Sequence, residues 1–131
     1  MPVPVPVPVP DKGYDMKLFD HERLDVYKVA IEFLIHSDNI SQSLPRGRAY
    51  LADQLRRASL SISLNIAEGA GEFSPDEKIR FYRIAKRSAT ECAAILDACR
   101  VLKIADQQIL SIARDMLLRI VSMLIRMTKK Q

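Results

Sequence analysis

The hydrophobic pattern changes period once along the chain, and only briefly. From Ser59 to Ile66, "SLSISLNI" alternates polar and apolar residues with period two, the signature of a half-buried strand. A wider window overturns it. Leu51, Leu55, Ala58, Ile62 and Ile66 fall at steps of three and four, the spacing of a single helix face. The serines are therefore expected inside a helix that begins near Arg48 and stops at Gly69, with Gly71 helping the turn.

Helix breakers point the same way over the rest of the chain. The glycines are Gly13, Gly47, Gly69 and Gly71, and beyond residue 10 the prolines are Pro45 and Pro75. Residues 14–44, 48–68 and 76–131 contain neither, which favours long helices over many short strands. The first helix is expected after Asp20 as N-cap, running to about Asp38 with an apolar stripe of Leu24, Tyr27, Ile31 and Leu34. "SQSLPRGR" is the loop that follows. "SPDE", residues 74–77, restarts a helix: Ser74 as N-cap, Pro75 in the first turn, Glu77 closing a capping box. Its stripe is Phe81, Ala85, Ser88, Cys92, Ile95, Cys99 and Leu102, with small residues at Ala85, Ser88, Ala89 and Cys92 where a neighbour can approach closely. A single helix from residue 76 to 131 would span about 84 Å, too long for a domain of this size. "KIADQQ" at 103–108 supplies the break, with Asp106 as cap. Ile109, Ile112, Met116, Ile120, Met123 and Met127 make the last stripe.

Four amphipathic helices with short connections predict an all-α, antiparallel up-down four-helix bundle over residues 18–131. Residues 1–17 stand apart as an arm. It opens "MPVPVPVPVP", a repeat that suits extended polyproline II and builds no core. It reads as a spacer, the alternative being a ligand for a proline-reading domain.

Composition narrows the function. Of 131 residues, 48% are apolar and 27% charged, with a net charge of +4. That is a mild basic bias compatible with nucleic acid. No run has the 18 or more apolar residues of a membrane span. Cys92 and Cys99, seven positions apart on one helix, sit about 10 Å from each other, beyond disulfide reach. Together with the lack of a signal-peptide pattern, this leads us to expect a cytoplasmic protein. A bundle di-metal site needs Glu-x-x-His pairs, and none occurs. His21 and His36 lie at opposite ends of the first helix. Cys-x-x-Cys, a phosphate-binding Gly-rich loop and G-x-S-x-G are all missing. No catalytic residues, metal or cofactor are therefore expected.

Two stretches remain. "KIRFYRIAKR" carries Lys78, Arg80, Arg83, Lys86 and Arg87 without an acid. Arg80, Arg83 and Arg87 share a helix face, and guanidinium groups in a row suit phosphates. Arg56, Arg57, Lys129 and Lys130 could enlarge the patch. The competing reading is a solvated face paired with Asp76, Glu77 and other carboxylates. In "NIAEG", Glu68 falls in the last turn of its helix, where the macrodipole disfavours an anion by about 0.3–1 kcal/mol. An arginine from the third helix is expected to offset it, with Asn65 as a second brace before Gly69. This motif reads as structural.

These residues resemble a known family. "LADQLRRASLSISLNIAEGAGE" and "RFYRIAKRSATE" are similar to the bacterial four-helix-bundle proteins encoded in intervening sequences of 23S ribosomal RNA genes. The family pattern falls on Gln54–Ala58, Ser61-Ile62, Asn65–Gly69, Arg80-Phe81, Ile84-Ala85, and Ser88 with Glu91. "LDVYKVA" at 24–30 matches its opening helix, usually with Trp where Tyr27 stands. The likeness covers about residues 18–127. Where the family commonly has Pro after Ser-Ile, this chain has Ser63, which predicts a straighter second helix. The resemblance implies a homo-oligomer, a ring of five, with no enzymatic activity. It extends to the accessory protein of diversity-generating retroelements, a basic pentamer that binds nucleic acid and a reverse transcriptase. In such a ring, +4 per chain becomes about +20, enough for polyvalent phosphate contact. The function expected is a non-enzymatic, homo-oligomeric nucleic-acid binder. The alternative is a protein-interaction scaffold without nucleic-acid affinity.

Overall fold

Local signals place the helix starts after the first loop. The Ser74 hydroxyl accepts from the Glu77 N–H at 3.4 Å, and Pro75 opens the helix behind it. Asp106 accepts from the N–H groups of Gln108 and Ile109 at 2.9 and 3.1 Å. Both are N-caps of the expected kind. In the computed structural model, which describes residues 17–129, four helices follow: α1 (Asp25–Ser43), α2 (Ala49–Gly71), α3 (Pro75–Val101) and α4 (Gln107–Met127). Short 3₁₀ segments, Asp20–Arg23 and Arg46–Arg48, precede α1 and α2. No strand occurs among the described residues. Of the Pro-Val arm, residues 1–16 lie outside them, as do Lys130 and Gln131.

Each helix packs against its neighbours in sequence, and α4 closes back on α1. This is the antiparallel up-down four-helix bundle. The core is aliphatic, as the composition requires: Phe33, Ile40, Leu55, Ile62, Ile66, Leu117, Ile120 and Leu124 are all fully buried, each contributing about 1.5–3 kcal/mol by leaving water. Cys92 and Cys99 are free and buried among them. Burial, with the adjacent Glu91 carboxylate adding to it, pushes the Cys92 thiol up to about 12. The α3–α4 turn closes with Lys103 at φ 56°. Its N–H donates to Arg100 O and that of Ile104 to Cys99 O, both at 3.1 Å, the paired bonds of a Schellman end.

Several boundaries differ from expectation. Asp20 does not cap α1. It begins the 3₁₀ turn, Leu24 then runs extended, and α1 starts at Asp25. That turn lies against α2 and places His21 between Phe19 and Tyr27, at centroid distances of 5.7 and 4.6 Å. α1 also continues past Asp38 to Ser43, because Ser37 and Ser41 are buried packing residues and do not end the helix. The capping box is half formed, since the Glu77 carboxylate turns forward to Arg80.

The stripes of α1 and α4 are rotated from those expected. α1 buries Val26, Val29, Ala30, Phe33, Ser37 and Ile40, leaving Tyr27, Ile31 and Leu34 on the flank. α4 buries Leu110, Ala113, Met116, Leu117, Ile120 and Leu124, while Ile109 and Ile112 are exposed. In α3 the expected seam is buried from Ala85 to Cys99, whereas Phe81 is half-buried and Leu102 exposed. The α2 stripe holds from Leu55 to Ile66, with Leu51 at its rim.

Candidate nucleic-acid interface

The serine alternation is helical, and its hydroxyls face inward. Ser59 and Ser63 are 1% and 3% exposed, while Leu60 and Leu64 between them are 46% and 51% exposed. Inside a bundle a buried hydroxyl needs a partner. Ser37 Oγ donates to Ser59 Oγ at 2.8 Å, joining α1 to α2, and Ser41 Oγ donates to Ala52 O at 3.4 Å. Ser61 and Ser88 hydroxyls lie 2.8 Å apart, joining α2 to α3. Among the described residues every buried side-chain nitrogen and oxygen is satisfied.

The "NIAEG" segment completes this seam. The Asn65 amide donates to Ser61 O at 2.8 Å and to its hydroxyl at 3.0 Å, so it braces the preceding turn and the Ser61–Ser88 contact. It does not brace Glu68. Gly69 does not stop α2, which runs on to Gly71. A Cβ at Gly69 would lie 2.6 Å from Tyr82 Cε1 and 3.1 Å from Phe81 Cβ. The glycine is there so that α3 can lay Tyr82 against α2. No arginine reaches Glu68, which is exposed and has no partner among the described residues. Lys78 offsets the helix end directly: its ammonium donates to Gly69 O at 3.3 Å and Ala70 O at 2.9 Å, where a cation is favoured. α2 runs through Ser63 as one continuous helix, in keeping with the missing proline.

The basic segment divides into two groups. Lys78, as a cap, turns away from solvent ligands. Arg80 donates through Nε and Nη2 to Glu77 Oε2 at 3.1 and 3.0 Å, and its guanidinium carbon lies 4.5 Å from the Phe81 ring centroid. On α2, Arg56 sits 3.9 Å from Asp38 and 3.7 Å from Asp53. These distances are those of loosely screened surface pairs. The side chains of Arg57, Arg83, Lys86 and Arg87 make no hydrogen bond or ion pair among the described residues. Arg83, Lys86, Arg87 and Thr90 line an open depression of about 400 Å³ with Thr128 from the end of α4. The antiparallel arrangement puts the beginning of α3 beside the end of α4, which brings these groups together. The helix-face reading found Arg83 and Arg87. Thr128 joins only through the α3–α4 pairing, which no local spacing shows.

Chemically, this depression can bind anions. It offers cationic donors, with Thr90 and Thr128 hydroxyls turned to their own helix carbonyls at 3.0 Å. Among the described residues no three of His, Cys, Asp and Glu are grouped to hold a metal ion. No described helix is long and apolar enough to cross a membrane.

The family model for the 23S rRNA-intervening sequence protein matches residues 22–126. The chain belongs to that family. The match runs from the 3₁₀ turn to the last turn of α4, so it takes in the seam and the α3 side of the basic depression, with Thr128 just beyond it. Among solved structures, the chain is similar to a protein of unknown function from the S23 ribosomal protein family of Bacteroides thetaiotaomicron. That likeness has a TM-score of 0.74 at 21% identity, covering 80% of this chain and 99% of that one. It supports the bundle fold. Comparison with curated proteins gives no match.

Proposed function

We propose that this family member is a non-catalytic, self-associating bundle that binds nucleic acid through the α3–α4 face. One observation carries the proposal: Arg83, Lys86 and Arg87 are unpaired among the described residues and share one open depression, while neighbouring cations are engaged elsewhere. Phosphates bind through such donors and release counterions. Self-association is supported by Leu60 and Leu64, apolar residues about half exposed on the outer side of α2. A ring, of five subunits by the family resemblance, would repeat the depression around its rim. Service beside a reverse transcriptase or a ribosomal RNA element, in a reducing cytoplasm, fits this chemistry and the two free thiols.

The test is binding of RNA and DNA across a salt series by wild type and the Arg83→Glu/Arg87→Glu variant. Affinity should fall with salt with a log–log slope of about −2 to −3 for each engaged site, and the variant should lose it. Equal, weak, salt-independent binding by both proteins would leave the scaffold reading, in which the same face meets an acidic protein.

A further inference from the structure

Two features at the α2–α3 end have no part in the core or in phosphate binding. The first is Phe73, whose side chain is fully exposed, at 101% of its reference area. Only residues 72–74 connect α2 to α3. Both sides of that link are tied down, by the Glu72 N–H donating to Gly69 O at 3.2 Å and by the Ser74 cap. The ring is therefore presented on a short, fixed turn. The second is Arg80. Its donating edge is neutralised by the two bonds to Glu77, and one face of its plane is covered by Phe81 at 4.5 Å. A guanidinium held this way has two of its five N–H donors engaged, so it offers a phosphate less than an unpaired arginine does. What it keeps is its outer planar face, and the side chain is 57% exposed.

Flat, solvent-facing aromatic and guanidinium surfaces beside free cations are what unpaired bases need. Bases of single strands stack on aromatic rings and on arginine planes, whereas bases within a duplex are already stacked on each other. Along α3, Arg80 stands about 8 Å in rise from Pro75, and Arg83 and Arg87 follow about 5 and 10 Å further on. One strand can thus lay bases at the turn and its phosphates along the helix. We propose that this end of the bundle selects single-stranded nucleic acid, with Phe73 and the Arg80 plane stacking bases and Arg83, Lys86 and Arg87 holding the adjoining phosphates.

The inference rests on the nucleic-acid reading above, and its test separates the two. The probes are a short unstructured oligouridine and an RNA duplex of equal charge, titrated into the full chain by fluorescence anisotropy at fixed salt. Wild type should prefer the single strand. Phe73→Ala and Arg80→Lys should each weaken single-strand binding at least about fivefold and leave duplex binding unchanged. Arg80→Lys is informative because it keeps the positive charge and removes the plane. Arg83→Glu/Arg87→Glu should weaken both ligands. If Phe73→Ala and Arg80→Lys leave the preference intact, or weaken both ligands equally, the stacking role is overturned while nucleic-acid binding stands. If wild type binds neither probe, both proposals fall. Light scattering on Phe73→Ala covers the remaining rival: a changed assembly mass would make the ring a subunit contact and overturn its assignment to a base.

Discussion

At the scale of single residues, Gly69 shows how a motif can be visible in the sequence while its reason is not. "NIAEG" reads as a helix terminus because glycine ordinarily ends helices. Here α2 passes through Gly69, and the missing side chain makes room for Tyr82 of α3. Gly69→Ala sets a gain in helix propensity of up to about 1 kcal/mol against a Cβ 2.6 Å from a buried ring. Overpacking of that kind costs about 1–3 kcal/mol, so the variant should be less stable by about 1 kcal/mol, read from its urea midpoint. In a Tyr82→Ala background the same substitution should become neutral or stabilising. The caps at Ser74 and Asp106 were legible because a cap is a local contact, closed within three residues. The neighbour of Gly69 and the cation at the end of α2 were not, because they depend on which α3 side chains arrive thirteen and nine positions after that glycine: Tyr82 fills the space, and Lys78 takes the helix end.

Among the elements, α2 was read most accurately because its outer face is marked by Asp53, Arg56 and Arg57 and its inner face by branched aliphatics. α1 and α4 are apolar over more than one stripe. "VYKVAIEFLI" and "ILSIARDMLLRIVSMLI" each offer two faces at helical spacing, and periodicity alone cannot choose between them. The choice is made by the neighbours: Ser37 and Ser41 must meet α2, which turns α1 toward Val26, Val29 and Phe33 and turns Ile31 and Leu34 outward. The α2–α3 pair depends on one further contact, the Lys78 ammonium on the last carbonyls of α2. Lys78→Met keeps most of the stem's apolar packing and removes the two bonds. It should cost about 1–2 kcal/mol, measured by chemical denaturation, and should leave nucleic-acid affinity almost unchanged, since this lysine is already engaged.

At the scale of the whole molecule, formal charge overstates what a ligand meets. Lys78, Arg80 and Arg56 are drawn into contacts with the protein itself, whereas Arg83, Lys86 and Arg87 share the depression between α3 and the end of α4. Leu60 and Leu64 lie on α2, so the assembly surface proposed above and the proposed ligand surface are different ones. Replacing both Leu60 and Leu64 with Asp should lower the assembly mass by light scattering while helicity by circular dichroism stays the same. An unchanged mass would place the subunit contact elsewhere. The serine seam has a consequence of another kind. Apolar side chains tolerate a small axial slide of one helix along its neighbour, because hydrocarbon contact has no fixed partner. Hydroxyl pairs do not, and α2 carries one toward α1 and another toward α3. Under a load applied along the helix axes, these pairs act as dowels, opposing the slide of α2 along α1 and along α3 alike.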